Sequence, residues 1–375
     1  MDPHRFALTM FRPIPLMFLA ALSAVTAQGQ RIAPRERDDA MRRAAEARYY
    51  RIERLPIPDG IALEVSGMDR GPGDSIALVT RRGEAYWLDD AFGADLSGAT
   101  FTRMASGLQE PLGIACKDGR LWVSQRSELT ELVDRDGDRV ADEFRVHSDG
   151  WGVSGDPHEY AFGSKPDAEG NIWVALTLTD SGRSSAFLRG WCVRVSPDGK
   201  MTPVVSGIRS PGGIGMNAGG EMFYTESQGY WVGSSGLRHL KPGSFQGSPT
   251  RLRWSSLVPE FGPITQVFEK GERIEQARAH MPTLVPPAVV FPHGDLGQCP
   301  TGFVVEAGAG KFGPFAGQLF VGEFAFSEVQ RVFMEKVNGV WQGAAFPFLG
   351  GFASGPVALL SSPEGFLFVG GTSRG

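Results

Sequence analysis

The chain has 375 residues and a formal net charge of -5, and 42% of its residues are hydrophobic. This composition is sufficient for a large buried core, and the mild acidity gives no reason to expect a nucleic-acid partner. The 50 glycines and 26 prolines favour many short strands over long helices. Three cysteines, Cys116, Cys192 and Cys299, do not make a disulfide framework, and without a Cys-x-x-Cys-His pattern the sequence excludes covalently bound haem.

Residues 1–27 have the features of a secretory signal peptide. Arg5 and Arg12 supply positive charge, residues 14–24 are apolar, and small residues provide a cleavage site before Gln28. A short membrane anchor is the alternative, but the apolar run is shorter than the ~20 residues that a membrane span needs. No other stretch of the sequence could cross a bilayer. We therefore expect an exported protein, periplasmic or extracellular, with no stable membrane span once the signal is removed.

Residues 28–55 form a leader segment. Its stretch 31–50 is rich in Arg, Glu and Ala, with Pro34 where a helix would begin. The pattern predicts one short helix whose charges face solvent.

From residue 56 to residue 375 the sequence repeats one pattern. A strand of small and apolar residues is followed by a turn with Gly, Asp or Asn and then by a strand rich in Trp, Phe, Val and Leu. Six copies occur, at residues 62–80, 111–123, 166–174, 211–224, 300–321 and 356–369. A period of roughly 40 to 60 residues predicts an all-β fold, a six-bladed β-propeller. A two-sheet sandwich, the rival architecture, would not explain so regular a period.

The sixth copy stops at Gly375 after only two strands, so the sixth blade is expected to be incomplete at the C-terminus. Either an N-terminal strand completes this blade, as in many closed propellers, or the chain is a truncated product that lacks the outer strands and any C-terminal domain. An unpaired blade edge would favour aggregation.

The stretch 151–163 carries the strongest candidate for chemistry. It places His158 between two carboxylates, Asp156 and Glu159, in a loop that leads directly into the first strand of the third copy. Histidine takes up a proton near neutral pH, so we interpret His158 as a catalytic base and Asp156 or Glu159 as the group that orients it. The alternative is a histidine that only stabilises a turn.

Propeller topology predicts which other loops lie near His158. In an up-and-down blade, the loop that enters the first strand and the loop that joins the second strand to the third lie on the same rim. These loops bring further polar residues to that mouth of the central channel: Arg81, Arg82, Glu110, Gln125, Arg126, Arg209, Ser210, Glu226, Ser227, Gln228, Gly229, Gln298 and Thr301. A histidine surrounded by arginines and carboxamides suits an anionic or polyhydroxylated ligand.

Residues 134–142 have the spacing of a calcium-binding loop. Carboxylates stand at relative positions 1, 3, 5 and 9, namely Asp134, Asp136, Asp138 and Asp142. Alternate residues of a tight loop can turn their oxygens onto one hard cation, although Arg139 replaces the usual glycine and Arg145 replaces the usual final acid. An acidic turn that binds nothing is the alternative. Since this loop follows the third strand of its blade, we expect it on the face opposite His158, where Ca²⁺ would have a structural role.

Five stretches of the sequence resemble a group of exported bacterial propellers described as membrane-bound dehydrogenases: 108–113, 134–142, 151–163, 292–302 and 370–375. Some members of that group are fused to a haem c domain, which implies a haem c electron acceptor. More distantly, residues 50–375 resemble the soluble quinoprotein glucose and sorbosone dehydrogenases. These are six-bladed propellers that hold pyrroloquinoline quinone (PQQ) with Ca²⁺.

The resemblance implies roles for individual residues. His158 is similar in position to the histidine that abstracts the proton of a substrate hydroxyl while a hydride passes to the quinone. Arg209 and Pro211 look like the family's cofactor-contacting Arg-Asn-Pro, with Ser210 in place of the asparagine.

Further similarities concern the metal and the cofactor. The segment 226–229 is similar to the one whose backbone carbonyls bind the active-site Ca²⁺, and Glu110, or Gln109 beside it, falls near a glutamine that contacts cofactor and substrate. The family supplies basic side chains to the quinone carboxylates from its last two blades, whereas residues 324–328 and 352–356 hold no Lys or Arg. Burying a multiply anionic cofactor without matching charge is costly. That charge would have to come from Arg81, Arg82 or Arg126.

Three functional hypotheses follow. The first is an exported quinoprotein-like dehydrogenase that oxidises a sugar or polyol hydroxyl with His158 as base. The second is a non-catalytic propeller that binds a glycan, peptide or envelope partner at the same mouth. The third is a calcium-dependent lactonase-type hydrolase, which would need a carboxylate-rich channel floor.

Overall fold

Six sheets follow one another along the chain and surround a central channel. The computed structural model describes residues 8–13, 34–93, 95–178, 184–229, 231–248, 254–256, 258, 269 and 271–372. The architecture is an all-β six-bladed propeller with a short N-terminal helix, as the repeat predicted. None of the helices in the described ranges combines the length and the apolar character that a membrane crossing requires.

Each blade has four antiparallel strands, which in the first five blades are numbered outwards from the channel. The elements before the first blade are β1 (Leu8–Pro13), α1 (Pro34–Glu46) and β2 (Tyr50–Arg54). The first blade contains β3 (Val65–Arg70), β4 (Ile76–Thr80), β5 (Ala85–Asp89) and β6 (Thr100–Ala105). The second contains β7 (Ile114–Lys117), β8 (Arg120–Ser124), β9 (Leu129–Val133) and β10 (Glu143–Ser148).

The third and fourth blades share a longer connection. The third contains β11 (Ala161–Pro166), β12 (Ile172–Leu176), β13 (Trp191–Val195) and β14 (Met201–Ser206), and the fourth begins with β15 (Pro211–Met216), β16 (Met222–Glu226) and β17 (Ser235–His239). The chain then adds β18 (Ser244–Phe245) in parallel to β14, forms α2 (Ile274–His280), and returns to the fourth blade as β19 (Val289–Phe291). The fifth blade contains β20 (Pro300–Val305), β21 (Leu319–Glu323), β22 (Glu328–Val337) and β23 (Val340–Gly350).

The sixth blade joins the two ends of the described chain. Its strands from the channel outwards are β24 (Gly355–Ser361), β25 (Leu367–Thr372), β1 and β2. Thr9 of β1 lies opposite Val369 of β25, and completion by an N-terminal strand is therefore the arrangement that the structure has. Because β1 lies within the segment 1–27 predicted to be a signal peptide, cleavage after residue 27 would remove this strand from β25.

Neighbouring blades cover both faces of the central strands. All five residues of β4, β12, β16 and β21 are buried. Trp122 of the second blade, for example, packs in one cluster with Ile172 and Val174 of the third. Burying one such side chain contributes about 1.5–3 kcal/mol, so the contacts between blades stabilise the ring.

The leader helix α1 packs beside the fifth blade. Arg42 forms an ion pair with Glu328, the first residue of β22. Glu46 accepts a hydrogen bond from the backbone N–H of Gly350 at 3.3 Å, and burial raises the pKa of its carboxyl group. The helix is thus attached to the rim at which β21 ends and β22 begins.

Glycines allow the innermost strands to approach one another around the channel. A Cβ atom added at Gly67, Gly113, Gly213 or Gly302 would overlap backbone atoms of the next blade. At Gly113 the overlap is with the carbonyl oxygen of Gly163. Backbone atoms cannot rotate away as a flexible side chain can, so these positions require glycine for a steric reason.

Replacing Gly113 by Ala is expected to lower the free energy of unfolding by about 3 kcal/mol or more, because the added methyl group overlaps the backbone of the third blade. Chemical denaturation of the purified variant measures this change. Gly98 is the matched control, since it lies in an exposed turn where an added Cβ has no neighbour within 4 Å. Gly98→Ala should change stability by no more than about 0.5 kcal/mol. Equal effects of the two substitutions would contradict the steric argument.

Candidate functional site at the channel mouth

A cavity of about 890 Å³ lies at one end of the channel. It opens where the innermost strands begin, which is the rim that the topology predicted for His158. The side chains and backbone atoms that line it come from all six blades: Ser66, Arg81, Leu112, His158, Tyr160, Phe162, Thr177, Ser210, Pro211, Gly212, Ser227, Cys299, Thr301, Phe324, Val357 and Thr372. We call this cavity the mouth.

His158 lies on the wall of the mouth with its side chain 61% exposed. Its Nδ1 is 3.6 Å from Oδ1 of Asp156, and the same oxygen accepts a hydrogen bond from the backbone N–H of His158 at 2.9 Å. Asp156 is therefore fixed beside the imidazole. A separation of 3.6 Å is too long for a good hydrogen bond but would stabilise an imidazolium electrostatically.

Glu159 does not have the position expected for a second orienting group. It is 1% exposed, and its carboxylate accepts hydrogen bonds from the backbone N–H of Ser154 at 2.6 Å and from the hydroxyls of Ser154 and Ser184. Burial alone would raise the pKa of Glu159, but the hydrogen bonds from Ser184 and Ser154 hold it below its ordinary value. Glu159 thus stabilises the loop from inside and does not reach the mouth.

A buried arginine that the sequence did not single out holds the same loop. Arg189 is fully buried and donates hydrogen bonds to the carbonyl oxygens of Gly152 at 2.8 Å, Tyr160 at 2.6 Å and Arg126 at 2.6 Å. Burial lowers the pKa of Arg189 to about 10, and the nearby Glu159 carboxylate acts in the opposite direction. In the sequence Arg189 lies between Leu188 and Gly190 and looks like any surface arginine.

Glu110 and two arginines form an ion-pair bridge at the rim. Oε1 of Glu110 accepts a hydrogen bond from Arg81 at 3.0 Å, and Oε2 accepts one from Arg126 at 2.8 Å. Arg126 also donates to the carbonyl oxygen of Asp156 at 2.6 Å and lies over the ring of Tyr160, 5.4 Å from its centroid. The bridge therefore connects the first blade, the second blade and the His158 loop.

Polar side chains at the ends of second strands hold the loops that enter the first strands. Glu226, at the end of β16, accepts the backbone N–H of Arg209 at 2.7 Å and pairs with Arg238 at 2.9 Å. Glu323, at the end of β21, accepts the N–H of Cys299 at 2.9 Å, and burial raises the pKa of this carboxyl group. Glu226 and Glu323 thus hold the loops that form the mouth, but they do not line it.

The remaining predicted site residues divide between two cavities. Ser210 lines the mouth, whereas Arg209 and Gly229 line a neighbouring cavity of about 280 Å³ together with Trp231. The guanidinium of Arg209 donates a hydrogen bond to the carbonyl oxygen of Gln228. That carbonyl consequently has a cationic partner within the protein.

One polar group in the mouth has no partner within the described structure. The hydroxyl of Thr177 is buried and makes no hydrogen bond to the described protein atoms. A buried hydroxyl without a partner is costly, so Thr177 is an unsatisfied polar group beside the mouth. Around it, the rings of Tyr160, Phe162 and Phe324 provide apolar surface. Sequence reasoning missed Thr177, because a threonine after a strand has no distinctive pattern.

The acidic loop lies on the opposite face, as its place between β9 and β10 predicted. Ligand oxygens of Asp134, Asp136 and Asp138 lie within 4.8 Å of one another. Asp142 is used differently, since its carboxylate accepts the backbone N–H of Arg135 at 2.7 Å.

Arg139, which stands where a calcium loop has glycine, connects this loop to the preceding blade. Its φ of 72° is in the left-handed region. Its side chain forms two hydrogen bonds of 2.9 Å with Asp89 of the first blade and lies over the ring of Trp87. The side chain thus supplies a contact between blades that glycine could not make.

Replacing Glu159 by Gln tests the buried anchor of the His158 loop. The pKa of Glu159 is lower in the folded protein than its ordinary value, so the ionised carboxylate stabilises the fold above about pH 4.5, and this contribution is lost as the pH falls through the folded pKa. The melting temperature of Glu159→Gln should therefore be lower than that of the unmodified protein at neutral pH, and the difference should shrink as the pH falls to about 3. Thermal melts over this range measure the effect. Glu169→Gln, at an exposed turn, should leave the pH dependence unchanged, and an unchanged profile in Glu159→Gln would exclude the role of the carboxylate.

The fold is similar to that of several solved propellers. An oxidoreductase from Thermus thermophilus described as a glucose dehydrogenase has a TM-score of 0.59 and 17% identity, covering 82% of this chain and 90% of the other. The PQQ-bound aldose sugar dehydrogenase of Streptomyces coelicolor has a TM-score of 0.54 and 13% identity, with 82% and 93% covered. The PQQ domain of the pyranose dehydrogenase of Coprinopsis cinerea, in its holo form, has a TM-score of 0.57 and 14% identity, with 84% and 94% covered. At these identities the likeness establishes the fold.

The sequence comparisons give a family without an activity. No curated protein matches the chain. The model of one protein family, described as a domain of unknown function (DUF7133), matches residues 80–280, which is more than half of the chain. The chain therefore belongs to the DUF7133 family.

Proposed function

We propose that this propeller is a dehydrogenase that binds a sugar or another polyol in the mouth and oxidises one of its hydroxyl groups, with His158 as the base. The observation that carries the proposal is the position of His158, the one histidine among the described residues that line the mouth, with Asp156 fixed 3.6 Å from its Nδ1. Solved proteins of similar fold are described as glucose, aldose sugar and pyranose dehydrogenases, which also supports it.

The proposed chemistry is a proton transfer coupled to a hydride transfer. Nδ1 of His158 faces Asp156, so we assign Nε2 as the atom that takes the proton when the O–H bond of the substrate breaks. The hydrogen on the adjacent carbon leaves with its electron pair to an organic two-electron acceptor, and a carbonyl group forms. Asp156 stabilises the imidazolium that results. A haem c protein is the proposed final electron acceptor.

Substrate recognition would combine hydroxyl contacts with ring surfaces. Thr177 offers a buried hydroxyl that lacks a partner among the described atoms, and Ser210 and Ser227 lie on the same wall. The apolar face of a sugar ring could pack against Tyr160 or Phe324. This set suits a neutral molecule that carries several hydroxyl groups.

The charges of the mouth do not fit PQQ, the cofactor that the fold implies. Arg81 is the one permanent cation among the described lining residues, and it is already paired with Glu110. Arg82 is half exposed and lies 3.8 Å from Glu64. The last two blades contribute no Lys or Arg to the described lining, only Cys299, Thr301, Phe324, Val357 and Thr372. Lys165 lies in the narrower channel beneath, near the end of β11. No step of the proposed reaction therefore uses PQQ.

Calcium has a better fit at the acidic loop than at the mouth. Asp134, Asp136 and Asp138 bring three carboxylates together, which is the chemistry that Ca²⁺ prefers. Beside the neighbouring cavity, the carbonyl of Gln228 accepts a hydrogen bond from the guanidinium of Arg209, and a second cation there would be repelled. We propose a structural Ca²⁺ site at the acidic loop, with Asp142 outside the ligand set.

The charge of the mouth favours a second candidate function, a propeller that binds without turnover. A mouth that is mostly apolar, with its cations paired internally, can hold a glycan, a peptide or an envelope partner without any cofactor. This candidate predicts saturable binding and no oxidation.

By contrast, the described linings of the mouth and of the channel beneath contain no Asp or Glu, so a lactonase-type hydrolase has no support.

We also propose that the protein is exported, because residues 1–27 have the sequence of a signal peptide. Amino-terminal sequencing of the protein from the native cells tests this. A mature protein that begins after residue 27 would support export, and one that retains β1 would contradict cleavage at that site.

The test of the dehydrogenase is the substitution His158→Gln. Dye-linked oxidation of a panel of sugars and polyols should fall by about 10²–10⁴-fold, because the general base is lost. The melting temperature should be unchanged, since the His158 side chain is largely exposed.

Asp156→Asn is the companion variant, and it should give a smaller loss because it removes only the charge beside the imidazole. Retained turnover in His158→Gln would exclude the assignment of the base. Binding of a sugar without turnover by the unmodified protein would favour the second candidate.

Calcium should raise the melting temperature of the metal-free protein by several degrees if the acidic loop binds it, because a ligand that binds only the folded state stabilises it. Asp136→Asn should abolish this increase, whereas Asp295→Asn, in a distant loop, should not. Differential scanning calorimetry with and without Ca²⁺ measures the effect. Oxidation that depends on Ca²⁺ without any change in melting temperature would contradict a purely structural role.

A further inference from the structure

The ion-pair bridge at the rim of the mouth pairs Arg81 and Arg126 with Glu110, so these arginines are not available to an anionic ligand. Glu110 uses both carboxylate oxygens, one on Arg81 at 3.0 Å and the other on Arg126 at 2.8 Å. Its φ of 40° is in the left-handed region, a conformation that costs a non-glycine residue roughly 1 kcal/mol or more. The ion pairs therefore hold Glu110 in a defined, strained position between the two guanidinium groups.

This arrangement acts against a second carboxylate. An incoming anion would have to displace Glu110 from both arginines or lie next to it, and like charges at such distances repel. Arg126 has limited freedom to move toward a ligand, because it also donates to the carbonyl oxygen of Asp156 at 2.6 Å. Of the three bridge residues, Arg81 is the one that lines the mouth, and the described lining holds no other permanent cation.

We propose that Glu110 determines the ligand specificity of the mouth: it is an internal carboxylate that occupies the Arg81–Arg126 pair and so excludes anionic ligands in favour of neutral, polyhydroxylated ones. The inference rests on the proposed function only in taking the mouth as the ligand site. Proteins often discriminate between two ligands by repelling the wrong one, where attraction alone would bind both.

The experiment compares an anionic and a neutral probe in the complete protein. PQQ is the anionic probe and D-glucose the neutral one, with binding followed by isothermal titration calorimetry. Glu110→Gln keeps the size of the side chain but removes the negative charge between the two guanidinium groups, so its affinity for PQQ should increase by about tenfold or more over that of the unmodified protein. Its affinity for D-glucose should stay within about twofold.

Two further variants control for indirect effects. Arg81→Gln combined with Glu110→Gln should return PQQ binding to the level of the unmodified protein, because the cation that lines the mouth is also removed. Glu128→Gln changes a carboxylate in the loop between β8 and β9 that accepts hydrogen bonds from Gln125 and Thr130, and it should have no effect on PQQ binding. Melting temperatures verify that every variant is folded.

The outcomes separate this inference from the proposed function. Tight PQQ binding by the unmodified protein would overturn the inference while supporting a quinoprotein dehydrogenase. A folded Glu110→Gln protein without increased PQQ affinity would also overturn it. Increased PQQ affinity in Glu110→Gln, with no D-glucose binding by any variant, would support the role of Glu110 and count against a sugar as the substrate.

Discussion

The contact between backbones around the channel is the constraint on which the rest of this structure depends. Because Gly67, Gly113, Gly213 and Gly302 have no side chain, the innermost strands lie directly against one another. The channel is consequently narrow beside these glycines. The mouth lies where the strands begin and the connecting loops diverge, and residues from all six blades line it.

Charge at the mouth is balanced within the protein. The buried guanidinium of Arg189 is satisfied by three carbonyl oxygens and faces Glu159, Glu226 pairs with Arg238, and Glu110 lies between two arginines. Desolvated charges of this kind are stable only with good partners. Their arrangement leaves an apolar mouth with one exposed imidazole, which differs from a site built to attract an anion. The fold is similar to that of PQQ-containing propellers, but the one permanent cation among the described lining residues is already paired with Glu110.

Much of the fold could be predicted from the sequence, because a propeller repeats a short pattern that strand pairing and turn chemistry explain. The meeting of His158 and Ser210 at one rim followed from the same topology, as did the position of the acidic loop on the other face. What could not be predicted depends on side-chain direction. Glu159 lies beside His158 in sequence yet points into the protein, and Thr177 or Arg189 has no local pattern that distinguishes it from an ordinary strand or surface residue. The partner of β25 was likewise only one of two possibilities, since strand pairing between distant segments leaves no local signal.

The interface between the first two blades has an ion pair at each of its ends. On one face Arg139 of the acidic loop holds Asp89, and on the other Arg81 holds Glu110. Two ion pairs at opposite ends of one interface restrain rotation of one blade against the other, which a single contact could not do.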